Sequence, residues 1–232
     1  MTREDRIERL RRARLYFVCE GLPGGRAPDA LLDAALRGGV DIVQLREKAP
    51  RCAEELVAMA EPFRRAASEH GALFILNDRP DLVSECGADG VHVGQDDTPV
   101  ADARAAAGAG AIVGLSTHSP AQVDAARAAT GDARPDQISV GPVWETPTKA
   151  GRPATGLELI RHAAGNGGIP WFAIGGIDAA NVGEVVSAGA TRAVVVRAIR
   201  DAVDPAAAAR ELRRALQGPA APGREAEEAA GS

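Results

Sequence analysis

The stretch APDALLDAALRGGVDIVQLRE, residues 27–47, contains one complete helix-to-strand unit. Residues 27–39 have the apolar spacing of an amphipathic helix and end in two glycines, which can adopt the left-handed backbone that closes a helix. Residues 40–47 then form a short apolar run with β-branched side chains, as expected for a strand buried in a parallel sheet. The stretch therefore predicts a chain of alternating helices and parallel strands.

The same alternation recurs along the chain. Together with residues 40–47, the predicted strands cover residues 15–20, 73–78, 90–94, 111–117, 137–143, 171–177 and 192–199. Eight short, evenly spaced strands favour a single closed (β/α)8 TIM barrel over a doubly wound open sheet, and no GxGxxG sequence follows the first strand. We expect one α/β catalytic domain over residues 1–217. We expect residues 218–232 to be a disordered tail, because their apolar content is too low for packing.

Composition limits the classes of partner. The chain has 232 residues, a net charge of −5 and only 3% aromatic residues, without a block of basic residues. Neither nucleic acid nor a membrane surface is therefore expected as a partner. No apolar run approaches the ~18 residues of a spanning helix, and the charged N-terminus lacks the apolar segment of a signal peptide. The sequence predicts a cytoplasmic protein with small-molecule partners, and it leaves open whether the protein forms a homo-oligomer.

Polar residues and glycines recur where the predicted strands end. In a parallel barrel the carboxyl ends of all strands form one face, and the active sites of TIM barrels are built there. We therefore expect these residues to converge on one mouth. The set comprises Gln44, Arg46, Lys48, Asn77, Asp78, Asp96, Asp97, Ser116, His118, Thr146, Thr148, Lys149, Gly175 and Gly176.

Two groups within this set suggest binding of phosphorylated ligands. Gln44, Arg46 and Lys48 alternate along an extended segment and so face the same side, which suits a diphosphate, although solvated strand ends have the same pattern. Asp78 and Asp97 offer carboxylate oxygens that suit Mg²⁺ shared with substrate phosphates. Each aspartate could instead cap a following helix, and that alternative stays open.

A further anion site is suggested by the glycines after the seventh predicted strand. Gly175 and Gly176 lack side chains, so a phosphate could approach the backbone N–H groups of this segment. The loop after the last strand leads into another helix N-terminus, and together these features form the usual phosphate site of a TIM barrel. The mouth is therefore expected to have two anion-binding regions.

Six motifs, in the same order and spacing, resemble the thiamine phosphate synthase family. They are QLREK, LFILNDRPDLV, GADGVHVGQDD, GLSTHS, VGPVWETPTKAGRPATGL and FAIGGID, between residues 15 and 200. The resemblance implies a Mg²⁺-dependent transferase that joins 4-amino-2-methyl-5-(diphosphooxymethyl)pyrimidine to 4-methyl-5-(2-phosphooxyethyl)thiazole. The products would be thiamine phosphate and diphosphate, formed through a pyrimidine cation.

The resemblance also implies roles for individual residues. Asp78 and Asp97 would bind Mg²⁺, and Asn77 would meet the pyrimidine. The diphosphate and the rest of the pyrimidine substrate would contact Gln44, Arg46, Lys48, Ser116 and Lys149, of which the last four would be catalytic. The thiazole phosphate would be received by Thr146, Thr148, Gly175, Gly176 and the turn at Val196.

Two positions depart from the family pattern. Arg197 stands where Ser is usual, and Glu20 ends the first predicted strand where Asp is usual. We expect Arg197 to continue the eighth strand to its carboxyl rim and to bind the thiazole phosphate. The alternative is an ion pair between Arg197 and Asp178 or Asp201.

Two other functions compete with the synthase. The related thiazole tautomerase shares the barrel and an REK-like strand end, but it typically lacks the GQDD and TPTK sequences, and both are present here. A non-catalytic sensor of phosphorylated ligands, on a degenerate barrel, would have no need to retain both Asp78 and Asp97. Diphosphate release in the presence of both substrates would separate these functions.

Overall fold

The computed structural model describes residues 1–145, 153–165 and 168–217. Eight parallel strands pair in chain order, and the last pairs with the first, which closes the barrel. The strands are β1 Leu15–Cys19, β2 Ile42–Leu45, β3 Leu73–Asn77, β4 Gly90–Val93, β5 Ile112–Thr117, β6 Gln137–Val140, β7 Trp171–Ile174 and β8 Ala193–Val195. The predicted (β/α)8 barrel is confirmed, and the predicted tail at 218–232 lies outside the described residues.

Helices connect most of the strands. The α-helices are α1 Arg3–Arg12, α2 Asp29–Arg37, α3 Ala53–His70, α4 Val100–Ala107, α5 Pro120–Ala128, α6 Gly156–Ala164, α7 Val182–Ser187, α8 Arg197–Arg200 and α9 Pro205–Leu216. The connection from β3 to β4 contains the short 3-10 turn Pro80–Leu82 in place of an α-helix. In the opening unit, Gly39 has φ 100°, so a glycine takes the left-handed backbone after α2 as predicted.

The barrel interior has an apolar end and a polar end. Side chains that include Ile42, Leu73, Ile112 and Phe172 pack together within it, and α1 contributes Leu10 to the same cluster. The inward-facing polar side chains Gln44, His92, Ser116 and Ser139 line the open end, and the buried Gln137 contacts His92 without lining that end. Helix α1 therefore closes the amino-terminal end, and the polar side chains face the open end.

Three aspartates tie neighbouring strands together at the closed end. Asp41, Asp89 and Asp136 directly precede β2, β4 and β6. Each carboxylate accepts a backbone N–H at the start of the preceding strand, from Leu15 at 3.0 Å, Phe74 at 3.0 Å and Val113 at 2.8 Å respectively.

Arginines from distant elements form ion pairs with the same three aspartates. The pairs are Arg213 with Asp41, Arg6 with Asp89, and Arg3 and Arg104 with Asp136. This end of the barrel thus carries stabilising ion pairs, opposite the mouth.

The eighth strand ends earlier than predicted. Strand β8 stops at Val195, and Val196 has φ −122° and ψ −83°, which breaks the extended backbone. Arg197 is the first residue of α8. The prediction that Arg197 continues the strand is therefore wrong, although Arg197 still lies at the carboxyl end of the barrel.

Candidate functional site

A cavity of about 1100 Å³ opens at the carboxyl ends of the strands. Most of the residues predicted from the sequence line it together, although they come from six different strand ends. They are Gln44, Arg46, Lys48, Asn77, Asp78, Asp96, Asp97, Ser116, His118, Gly175, Gly176, Val196 and Arg197. The predicted residues Thr146, Thr148 and Lys149 lie outside the described residues.

Asp78 and Asp97 form a close carboxylate pair in this cavity. Although part of Asp78 reaches solvent, burial raises its pKa to about 6, with further contributions from the charge of Asp97 and a hydrogen bond to it. Asn77 and Arg46 oppose that rise. Two carboxylates this close repel each other unless a proton or a cation lies between them. The pair therefore fits a divalent cation that takes its other oxygen ligands from water and substrate.

Neither aspartate caps a helix. Asp97 Oδ2 accepts the backbone N–H of Gly94 at 2.8 Å, and α4 begins only at Val100 without a side-chain cap. The turn after Asp78 likewise starts without a side-chain cap. The structure therefore contradicts the alternative that these two carboxylates cap helices.

The backbone at Asp78 has an unusual conformation. Its φ is 59°, in the left-handed region that glycine favours and that Asp and Asn tolerate better than most residues. The Asp78 N–H donates to the carbonyl of His92 at 3.0 Å, so the end of β3 is anchored to β4. The cost of this conformation is consistent with a residue that is positioned for function.

Arg46 and Lys48 supply positive charge beside the carboxylates. Burial lowers the pKa of Arg46, while the nearby charges of Asp78, Glu20 and Asp97 raise it. Burial and the charge of Arg46 lower the pKa of Lys48, and Glu20 opposes this. Two cations held close together suit a ligand with several anionic oxygens, such as a diphosphate.

Gln44 lies deeper than these two cations. Its side chain is only 4% exposed and lies beside the buried Tyr16, on the floor of the cavity. The three residues predicted to bind the diphosphate therefore lie at different depths. Arg46 and Lys48 are at the mouth, and the Gln44 amide is in the interior. An amide in that position is better placed to meet a ring than a diphosphate.

A buried polar network lies beneath the mouth, and sequence reasoning missed most of it. His92 Nε2 is 3.0 Å from Ser116 Oγ, and His92 Nδ1 is 2.9 Å from Gln137 Nε2. Ser139 Oγ lies 3.5 Å from Ser116 Oγ. Only Ser116 was predicted as a site residue. The signal that could have revealed Gln137 and Ser139 is the alternation of polar and apolar residues in QISV, residues 137–140.

Two glycines after β7 also line the cavity. Gly175 has φ 108° and Gly176 has φ 69°, which side-chain-bearing residues rarely adopt. A Cβ atom at Gly175 would also lie 2.5 Å from Pro142 Cα. Asn181 Nδ2 holds the segment by donating to the Gly176 carbonyl at 2.8 Å. Glycine is therefore required here both by conformation and by space.

Arg197 is exposed and lines the cavity close to these glycines. The alternative ion pairs of Arg197 with Asp178 and Asp201 are not formed among the residues that the structure describes. Asp201 pairs instead with Arg200 at 2.7 Å, and Arg200 also binds Glu20 at 3.0 Å. Hydrogen bonds from Arg200 are the main cause that lowers the pKa of Asp201, and the charge of Arg197 contributes least. The unusual Glu20 therefore has a structural partner in Arg200.

Comparison with known proteins identifies the family. A family model described as thiamine monophosphate synthase matches residues 15–199. The chain belongs to the thiamine monophosphate synthase family. Within the described ranges, no helix is long and apolar enough to cross a lipid bilayer.

Curated relatives and a solved structure agree with this family. The thiamine-phosphate synthase of Arthrobacter sp. (strain FB24) is 51% identical over 225 residues, which covers 88% of this chain and 94% of the relative. That of Thermus thermophilus is 52% identical over 210 residues, covering 88% and 98%. Thiamine phosphate pyrophosphorylase from Pyrococcus furiosus has a similar structure, with a TM-score of 0.78 at 28% identity, over 90% of this chain and 97% of that one. The predicted family is confirmed, and with it an enzyme of thiamine phosphate synthesis.

Proposed function

We propose that this thiamine monophosphate synthase family member condenses 4-amino-2-methyl-5-(diphosphooxymethyl)pyrimidine with 4-methyl-5-(2-phosphooxyethyl)thiazole. The proposal rests mainly on one observation: a single cavity holds the Asp78 and Asp97 carboxylates, the Arg46 and Lys48 cations, and the left-handed Gly175–Gly176 segment. A reaction between a diphosphate ester and a phosphate ester needs two anion-binding regions that face one chamber. The cavity offers a candidate for each, namely Arg46 and Lys48 on one side and the Gly175–Gly176 segment on another.

The diphosphate would lie on the side of β2, β3 and β4. Arg46 and Lys48 would donate charge-assisted hydrogen bonds to its oxygens. Asp78 and Asp97 would hold Mg²⁺, which when bound neutralises charge on the diphosphate and so favours its departure. By family resemblance Lys149 would join this side, and Asn77 would hydrogen-bond the pyrimidine.

The thiazole phosphate would lie on the side of β7 and α8. Gly176 and Val196 both line this side of the cavity, so their backbone N–H groups are candidates to bind the phosphate. Arg197 would add a guanidinium to the same phosphate. By resemblance Thr146 and Thr148 would complete this region.

The reaction then needs little acid–base chemistry. The amino group of the pyrimidine donates electron density toward the methylene carbon, the carbon–oxygen bond breaks, and its electron pair leaves on the diphosphate. The lone pair of the thiazole nitrogen then forms the new carbon–nitrogen bond to the cation. Arg46 and Lys48 stabilise the charge that develops on the leaving group, and the cavity holds the two rings in contact.

Incubation with both substrates tests the proposal. In the presence of Mg²⁺ we expect thiamine phosphate and diphosphate to form in equal amounts, and neither to form when either substrate or the cation is omitted. A tautomerase would instead isomerise a thiazole phosphate alone, without release of diphosphate. A sensor would bind a phosphorylated ligand and convert neither substrate. A cytoplasmic location stays a prediction from the sequence.

A further inference from the structure

A chain of three hydrogen-bonding side chains runs from β6 to the cavity wall. Gln137 is 2% exposed and does not line the cavity, whereas His92 and Ser116 do. The Gln137 amide nitrogen lies 2.9 Å from His92 Nδ1, and His92 Nε2 lies 3.0 Å from Ser116 Oγ. Among the described residues, the hydrogen bond that connects Gln137 to the cavity wall is therefore the one with His92.

The contact between Gln137 and His92 sets the direction of the hydrogen bonds. An amide nitrogen only donates, so His92 Nδ1 accepts. A neutral imidazole with an accepting Nδ1 carries its proton on Nε2. Nε2 then donates to Ser116 Oγ at 3.0 Å, which is nearer than Ser139 Oγ at 3.4 Å. Ser139 Oγ, at 3.5 Å, is a second group that can donate to the same oxygen. The hydroxyl proton of Ser116 is therefore left to point away from His92.

The packing around Gln137 keeps this contact in place. A Cβ atom added at Gly114 would lie 2.0 Å from Gln137 Nε2 and 2.5 Å from His92 Nδ1. Gly114 faces both groups from β5, between the two strands that carry them. The space that the missing side chain leaves is filled by the amide and the ring, so neither group can move far without opening a void.

We propose that Gln137 is a positioning residue: it holds His92 in the Nε2–H tautomer and thereby makes Ser116 a hydrogen-bond donor toward the cavity. A donor at this point serves an anionic or oxygen-rich substrate group, whereas the opposite tautomer would direct the Ser116 proton back to His92. The benefit to catalysis rests on the proposed function, in which Ser116 contacts the pyrimidine diphosphate. The tautomer itself does not depend on that function.

The tautomer is measured directly on the wild-type protein without substrate. In long-range ¹H–¹⁵N spectra of ¹⁵N-histidine-labelled protein, we expect His92 Nε2 to be protonated and Nδ1 not. The chain has four histidines, and the His92 signals are assigned by their loss in His92→Asn. In Gln137→Glu a carboxylate can only accept, so the proton should move to Nδ1. A wild-type His92 with its proton on Nδ1 would overturn the proposal, whatever the activity of the protein.

A double-mutant cycle tests the connection to Ser116. Gln137→Leu should lower kcat about tenfold, the effect of one misdirected hydrogen bond, and leave the KM for thiazole phosphate unchanged. Ser116→Ala should add little further loss in the Gln137→Leu background, because the two residues would act through one hydrogen bond. Fully additive effects of the two substitutions would show that Gln137 does not act through Ser116. If wild-type protein forms no thiamine phosphate, the proposed function fails while the tautomer measurement still stands.

Discussion

The carboxyl group of Asp97 lies close enough to that of Asp78 to raise its pKa, both through its charge and through a hydrogen bond. Burial of Asp78 makes the largest contribution to the same rise. The fold therefore brings two mutually repelling carboxylates together at the mouth of the barrel, at the position where a diphosphate is expected. This arrangement is unfavourable by itself and becomes favourable when a cation is bound.

We expect Asp97→Asn to lower kcat by about 100-fold or more, because loss of one carboxylate weakens the hold on the cation that the diphosphate shares. Asp96→Asn is the matched control: Asp96 is the adjacent aspartate and also lines the cavity, but it is not assigned as a ligand, so its substitution should have little effect. Steady-state rates at saturating Mg²⁺ and circular dichroism of both variants provide the measurement. Wild-type rates in both Asp97→Asn and Asp78→Ala would show that the carboxylates are not ligands.

The raised pKa of Asp78 makes the stability of the fold depend on pH. Because the folded-state pKa of Asp78, about 6, lies above its unfolded value, ionisation of Asp78 destabilises the fold. This destabilisation is absent below about pH 4, grows between about pH 4 and 6, and is complete above that range. In Asp97→Asn the pKa of Asp78 should fall part of the way to its ordinary value, since burial remains. Carboxyl ¹³C NMR titration without divalent cations measures it, and an unchanged pKa would exclude the coupling.

The left-handed backbone of Asp78 predicts a difference between two substitutions that both remove its carboxylate. Asp78→Gly relieves the conformation at φ 59°, whereas Asp78→Ala retains it. We expect the alanine variant to be less stable than the glycine variant by about 1 kcal/mol in urea unfolding without metal. Both should lose activity to the same extent. An alanine variant as stable as the glycine variant would show that the backbone relaxes there at no cost.

The strands could be predicted because a strand buried in a parallel sheet is a short, mostly apolar run, and the described part of the chain has eight such strands. The end of β8 could not be predicted, because the apolar pattern continues to Ile199, which is fully buried in α8. A buried position requires an apolar residue in either kind of element, so the pattern alone does not distinguish them. The break occurs in the backbone of Val196, where no glycine or proline marks it.

The residues at the mouth of the site could be predicted from the fold itself. In a parallel barrel all carboxyl strand ends meet, so residues such as Arg46, Asp78 and Asp97 must be neighbours once the fold is known. The interior network could not be predicted in this way. Gln137 is an inward-facing polar residue on a buried strand, and its partner His92 comes from β4, far away in the sequence. Only the three-dimensional register brings them together.

Arg197 should contribute to binding of one substrate and not the other. It lines the cavity near Gly176, and a guanidinium can make two charge-assisted hydrogen bonds to a phosphate. We expect Arg197→Ser to raise the KM for thiazole phosphate about tenfold or more, while the KM for the pyrimidine diphosphate stays nearly unchanged. If both KM values match wild type and only the melting temperature falls, the arginine has a structural role.

Substitutions at the closed end of the barrel should change the stability of the protein without changing its catalytic rate. Asp136 accepts hydrogen bonds from Arg3, Arg104 and the Val113 N–H, so Asp136→Asn should lower the free energy of unfolding by about 1–3 kcal/mol. The neighbouring exposed Asp132 provides the matched control, since Asp132→Asn should change stability by less than about 0.5 kcal/mol. Urea unfolding and steady-state kinetics are compared for both. A loss of kcat in folded Asp136→Asn would contradict the separation of the two ends.

The most direct test of the site is a crystal structure of the protein with Mg²⁺, thiamine phosphate and diphosphate. We expect diphosphate to contact Arg46 and Lys48, Mg²⁺ to lie between diphosphate and the carboxylates of Asp78 and Asp97, and the phosphate of the thiazole half to lie by Gly176 and Arg197. Diphosphate bound elsewhere, with Asp78 and Asp97 facing only water, would contradict the proposed site.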